Sequence, residues 1–259
     1  RTVVPMMSAL RYTVSQGHTP KWPGTFSLRH ETYMAVLREL AARADDLQGR
    51  TLTSVFFGGG TPSLWAAPAL GRVLAGIRDA FGREAPDLEV TVECNPSSLD
   101  QSHAAKLVER GVGRLSMGVQ SLRDRHLAFL GRLHDSKRAV AALEEAVAEV
   151  PRVSADLMFG MPEQTEDELR EDIDAIVGTG VLHVSAYALT IEEKTLFGSL
   201  HRAGKLRIAP DETYASMFEG VERAFEAHGF RHYEVSNYAP LGEESRHNLH
   251  YWRGGAYVG

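Results

Sequence analysis

Two acids, Glu93 and Asp156, close runs built from Leu, Val, Thr, Ser and Ala. A carboxylate in such surroundings costs several kcal/mol unless it meets a cation or hydroxyls. Coming from different strands, the pair suits a polar ligand such as a ribose diol or an amine, or else pairing with Arg114 or Arg132 inside the protein. Phe56–Phe57–Gly58–Gly59–Gly60–Thr61–Pro62 ends another apolar run, and its glycines let the backbone turn sharply and present peptide groups to a ligand. It is neither a G-x-G-x-x-G fingerprint nor a P-loop, because no Gly-Lys-Ser/Thr follows, and a plain tight turn accounts for it equally well. Gln120 adds a polar group after Ser116–Met117–Gly118–Val119, and Arg132, in Leu130–Gly131–Arg132–Leu133–His134, carries the fork that grips a carboxylate.

The tail Ser245–Arg246–His247–Asn248–Leu249–His250–Tyr251–Trp252 sets two histidines three apart among aromatics. A histidine so placed suits axial ligation of haem, with flanking rings covering the porphyrin. The alternative is an aromatic loop packed on the rest of the protein. No nucleophile elbow and no H-E-x-x-H occurs, and no catalytic residue is assigned. Cys94 is the sole cysteine and reads as a small buried residue. By itself it excludes an intrachain disulfide, and equally any metal or iron–sulfur site built from several cysteines of this chain.

Helical and strand periods alternate in the elements that must position these residues. Helical spacing of apolar residues covers about 30–46, 67–81, 101–110, 137–147, 166–177 and 211–228, and strand-like runs cover 52–57, 88–93, 114–118, 152–159, 183–189 and 232–235. Strands alternating with helices of this length predict parallel βα units. Open doubly wound sheets and βα barrels both fit the strand count. The barrel is favoured because Gly58–Pro62, Glu93–Pro96, Gln120, Asp156, Gly160–Pro162 and Ala188 all read as lying at or just past strand C-termini, the face on which barrel sites are built.

The balance of 28 Lys+Arg against 34 Asp+Glu gives a net charge of −6, which argues against a general nucleic-acid binder. No apolar run of about 18 residues is present, so no membrane-spanning helix is predicted, while peripheral membrane contact and a homodimer stay open. Residues 1–27 mix basic and hydroxyl side chains without an acid. That composition fits either the remnant of a targeting peptide or an unstructured end. Cytoplasm is the default compartment, with mitochondrion or plastid as the alternative if the start is a leader.

Together with the Gly58–Pro62 turn and its following Ser63–Leu64, the motifs Glu93–Cys94–Asn95–Pro96, Arg114–Leu115–Ser116–Met117–Gly118–Val119–Gln120–Ser121, Asp156–Leu157–Met158–Phe159–Gly160–Met161–Pro162, Val184–Ser185–Ala186–Tyr187–Ala188–Leu189 and Tyr233–Glu234–Val235–Ser236–Asn237–Tyr238–Ala239 occur in order. Over about residues 31–259 the chain resembles the oxygen-independent coproporphyrinogen III oxidase-like branch of the radical SAM superfamily. The resemblance implies an α/β fold, a partial (β/α)6 TIM-like barrel over 31–240, holding S-adenosylmethionine against a [4Fe-4S] cluster. By motif position Gly59, Gly60 and Thr61 would line the methionine end of that ligand. Glu93 and Asp156 would take its hydroxyl or amine groups, Gln120 and Arg132 would complete the set with Arg132 on the carboxylate, and Ala188 would lie near the adenine.

His-Asn-x-x-Tyr-Trp, here His247–Trp252, resembles the signature of the haem-chaperone members of the branch, and it implies His247 as haem ligand and delivery of haem to acceptor proteins. The branch holds its cluster with Cys-x3-Cys-x2-Cys ahead of the helix at 31, whereas residues 1–30 contain no cysteine. They read as an atypical segment replacing the cluster loop, and 241–259 reads as the start of a truncated C-terminal region. The expectation is a haem chaperone that binds haem and S-adenosylmethionine without radical chemistry in this form. The alternatives are a coproporphyrinogen III oxidase and a cluster-less S-adenosylmethionine-binding scaffold.

Overall fold

The computed structural model describes residues 2–5, 25–206 and 208–258. Its contacts divide the chain into two compact units. The first comprises residues 1–116, 148–151 and 245–259, and the second 117–147 and 152–244.

In the first unit β1 (Thr2–Pro5), β2 (Leu52–Phe57) and β3 (Glu84–Cys94) pair in parallel in that order. α1 (Thr25–Ala42), α2 (Ala44–Leu47), α3 (Ala67–Phe81) and α4 (Gln101–Val108) lie between or before the strands. Leu52, Val55 and Phe57 are buried on one strand, Val90, Val92 and Cys94 on the next, and strands enclosed in this way read as apolar runs. Leu70, Val73, Leu74, Ile77 and Phe81 form the buried stripe of α3, at the spacing of one helix face. Each such side chain stabilises by about 1.5–3 kcal/mol when taken out of water. Gly82, in the left-handed region at φ 62°, ends the helix by donating its N–H to Arg78. Two later elements complete this unit: α10 (Arg246–Trp252), which packs on β2, and β9 (Ala256–Tyr257), which pairs in parallel with β1.

In the second unit β5 (Arg152–Phe159) and β6 (His183–Ala188) pair in parallel, and β7 (Arg231–Glu234) and β8 (Asn237–Ala239) add antiparallel strands beyond β6. α5 (Asp124–Phe129), α6 (Ser136–Glu149), α7 (Glu166–Gly178), α8 (Leu196–Arg202) and α9 (Asp211–Ala227) connect them. Thr165 and Glu168 form a capping box at the start of α7, satisfying two otherwise orphaned N–H groups. β4 (Arg114–Gln120) has its first residues in one unit and its last in the other.

The structure corrects the sequence expectations at four places. The segment 232–235 is not a parallel βα strand but one arm of an antiparallel hairpin with β8, joined through Val235–Ser236. The tail is a helix, α10, rather than an aromatic loop. Asp156 lies inside β5 rather than at its end, because Leu157, Met158 and Phe159 continue the strand. The start of the chain contributes β1, while residues 6–24, on which most of the leader reading falls, lie outside the described residues.

Candidate functional site

The turn after β2 is held by the end of β3. Gly59 and Gly60 adopt φ 83° and 68°, left-handed values that favour glycine, and the Gly59 N–H donates to Glu93 Oε2 at 2.9 Å. A Cβ on Gly58 would strike the Phe56 ring and stand 3.2 Å from the Glu93 carboxyl carbon, so only glycine lets these groups approach. Asn95 donates to Thr61 Oγ1 at 3.0 Å, and its own N–H donates to Ser98 Oγ at 3.1 Å. The Glu-Cys-Asn-Pro motif thus shapes the glycine turn. Burial raises the Glu93 pKa, and the Gly59 N–H offsets part of that rise. Cys94 is 4% exposed, its thiol directed to the Val92 carbonyl, as expected of a small buried residue.

The other residues assigned to this ligand belong to the second unit. Gln120 ends β4 at φ 71°, a strained conformation for a side chain other than glycine, and its Oε1 accepts from the Tyr187 hydroxyl at 2.7 Å. Asp156 on β5, Ala188 at the end of β6 and Arg132 in the turn after α5 are each half-buried. Within each unit the assigned residues gather at strand C-termini, Asp156 and Arg132 excepted.

His247 belongs to the first unit as well and stacks on the same Phe56 ring that closes on Gly58. Ser245 caps α10 by accepting the Asn248 N–H, and the helix start is bound by Glu89: Oε2 accepts the Arg246 N–H at 3.2 Å and Oε1 the His247 N–H at 2.9 Å. Glu89 also pairs with Arg114 at 3.6 Å, the two side chains 2% and 4% exposed. The His247 ring stacks on Phe56 at 4.7 Å, with Nδ1 3.4 Å from Ser54 Oγ. The histidine is 6% exposed, while Tyr251 and Trp252 on the same helix are 51% and 43% exposed. At the rim Arg246 pairs with Asp87 at 2.8 Å.

Glu89 and its role escaped the sequence reading, which considered Arg114 only as a partner for Glu93 or Asp156. The signal was alternation: Glu89, Thr91 and Glu93 fall on one face of β3, with Glu89 opposite Ser54 and Thr91 opposite Phe56. Glu89 and Glu93 stand about 13 Å apart along the strand for four residues, and the Phe56 ring links their surroundings, stacked on His247 and against Gly58.

Burial pushes the His247 pKa down to about 4, against about 6.5 in an unfolded chain. The folded state therefore favours neutral His247, so its contribution to stability is complete above about pH 6.5 and is lost as pH falls through about 4, some 3 kcal/mol in all. Urea unfolding from pH 7 to 4 should show this loss, and His247→Asn should flatten that part of the profile. Equal slopes in the two proteins would show that the ring titrates normally.

The sequence profile of the Radical SAM superfamily matches residues 21–176. The chain is similar to "Heme chaperone HemW" of Mycobacterium tuberculosis, 42% identical over 227 residues, which cover 87% of this chain and 58% of that protein. It is 36% identical to the Escherichia coli protein of the same name, over 89% of this chain and 60% of that one. The chain thus spans a little under two thirds of these relatives. Among solved structures, the E. coli coproporphyrinogen III oxidase HemN, described as a radical SAM enzyme, superposes with a TM-score of 0.71 at 20% identity, covering 87% of this chain and 52% of that one. A likeness at that identity shows a shared α/β fold. Among the described residues no helix is long and apolar enough to cross a membrane.

Proposed function

The chain belongs to the radical SAM superfamily, and from that premise we propose that it works as a haem chaperone in the cytoplasm, binding S-adenosylmethionine and carrying haem to acceptor proteins. The observation that carries this reading is α10. It carries His247–Asn248–Leu249–His250–Tyr251–Trp252, and it holds two large aromatic rings out to solvent. Exposed rings beside one another mark a surface that meets an apolar partner, and a porphyrin face is such a partner.

In this reading His247 is the iron ligand. Its ring is enclosed while α10 is docked, so the cargo reaches it only when the helix start leaves Glu89 and Ser54. The free energy of docking is subtracted from that of haem binding. Loading is then a competition between the carboxylate of Glu89 at the helix backbone and iron at the imidazole. Titration of hemin into the wild type and His247→Ala is the deciding measurement.

The residues assigned to S-adenosylmethionine are Gly59, Gly60, Thr61 and Glu93 in the first unit and Gln120, Arg132, Asp156 and Ala188 in the second. Peptide groups of a glycine turn, a half-buried carboxylate and a strained polar residue fit a ligand with hydroxyl, amine and carboxylate groups. Reductive cleavage of this ligand takes a [4Fe-4S] cluster, and one cysteine does not supply the three thiolates the family uses. Binding alone is therefore assigned to these 259 residues. Glu93→Ala should weaken S-adenosylmethionine binding by about 1–3 kcal/mol, read by equilibrium dialysis with labelled ligand. Unchanged affinity in both Glu93→Ala and Asp156→Ala would remove the assignment.

A further inference from the structure

A cleft in the second unit is lined by none of the residues assigned to S-adenosylmethionine or haem. It measures about 660 Å³, within the range of small-molecule sites, and lies past the end of β5. Its walls are the turn 161–164, Phe129 of α5, residues 204–206 and 208–209, and Thr213 of α9. Gln164, 7% exposed, stands in its wall. The side-chain oxygen accepts the Met161 N–H at 3.2 Å, which fixes the orientation of the carboxamide. Its Nε2 is buried and has no acceptor among the described residues. A buried donor in this state is a cost that an acceptor on a ligand would remove.

The remaining wall says what else the ligand carries. Phe129, held in place by stacking on Phe197 with centroids 4.7 Å apart and planes inclined by 2°, gives the cleft an apolar side together with Leu206 and Ile208. Lys205 brings an exposed ammonium to the rim. Glu163 places an acid on the same rim, while Arg125 nearby is paired with Glu168 at 2.5 Å. The Glu163 backbone sits at φ 60°, the kind of local strain that gathers at ligand sites.

We propose that this cleft binds a planar apolar carboxylate. The ring system lies along Phe129, Leu206 and Ile208, one carboxylate oxygen accepts from Gln164 Nε2, and the charge faces Lys205. A simple aryl acid and the propionate edge of a tetrapyrrole share this chemistry. The inference stands apart from haem ligation by His247.

The test uses 2-naphthoate and iron-free protoporphyrin IX, each titrated by fluorescence into the whole chain. At least one should bind saturably. Gln164→Glu keeps the oxygen that Met161 needs and replaces the donor, and it should weaken binding about tenfold or more. Lys205→Ala, at an exposed site, should weaken it about threefold. His247→Ala should change nothing, because neither probe carries iron. Saturation by naphthoate assigns an aryl acid, and saturation by the porphyrin alone assigns a tetrapyrrole. If Gln164→Glu fails to fold, Lys205→Glu takes its place and should reduce binding further than Lys205→Ala. No saturable binding of either probe, binding indifferent to the cleft variants, or binding lost in His247→Ala would each overturn the proposal.

Discussion

Glu89→Ala should lower the unfolding free energy by about 3–5 kcal/mol, the cost of breaking a buried ion pair from one side. The substitution removes the carboxylate facing Arg114, which is 4% exposed, and it removes the acceptor of the Arg246 and His247 N–H groups at the start of α10. Glu84→Ala offers the comparison on the same strand. Its pair with Arg78 is roughly half-exposed, at 47% and 41%, and should contribute under about 1 kcal/mol. Urea unfolding of both variants measures the difference. Adding Arg114→Met to Glu89→Ala should recover part of the loss, since an apolar side chain of similar length leaves no buried charge behind. A loss below about 1 kcal/mol in Glu89→Ala would show that α10 is held by its apolar contacts instead.

The second large effect concerns the cargo. Hemin should give a saturable Soret band with the wild-type chain, and His247→Ala should abolish it. The less obvious expectation follows from the docked position of α10. Because His247 is 6% exposed, the measured affinity is the intrinsic affinity reduced by the fraction of molecules with the helix released. Loosening the helix without touching the ligand should therefore tighten binding. Arg246→Ala removes the pair with Asp87, whose side chains are 46% and 66% exposed, so the gain is modest, about two- to fivefold. Equal affinity in Arg246→Ala would mean that docking does not compete with haem. Retention of the Soret band in His247→Ala would transfer the ligand role to another residue, and half-buried His250, whose Nε2 lies 3.0 Å from the Ala256 carbonyl, is the first to examine.

The βα alternation was legible because parallel strands buried on both faces leave runs such as Leu52–Phe57 and Arg152–Phe159, and because α3, α7 and α9 are long enough for a period to register. α5, α8 and α10 were not, since six or seven residues hold barely two turns. Parallel and antiparallel pairing look alike in four residues, which hid the β7–β8 hairpin. Glycines, Glu93, Gln120 and Ala188 announced themselves at strand ends through composition. Glu89 did not, because its role depends on backbone groups 157 and 158 residues away, and local pattern carries no trace of a partner so distant. His247 was found as a motif, but its enclosure by Ser54, Phe56 and Glu89 belongs to tertiary packing alone.

β3 works as a ruler. Glu89 meets the helix and Glu93 meets the glycine turn, an even number of residues apart, so both look to one side of the sheet. Inserting or deleting a single residue between Val90 and Val92 would turn one of the two acids to the opposite face. Surface loops in general absorb a change of length, whereas this stretch tolerates only replacement of one side chain by another. A lineage that lengthened it by one position would have to surrender either the clasp on α10 or the brace under Gly59.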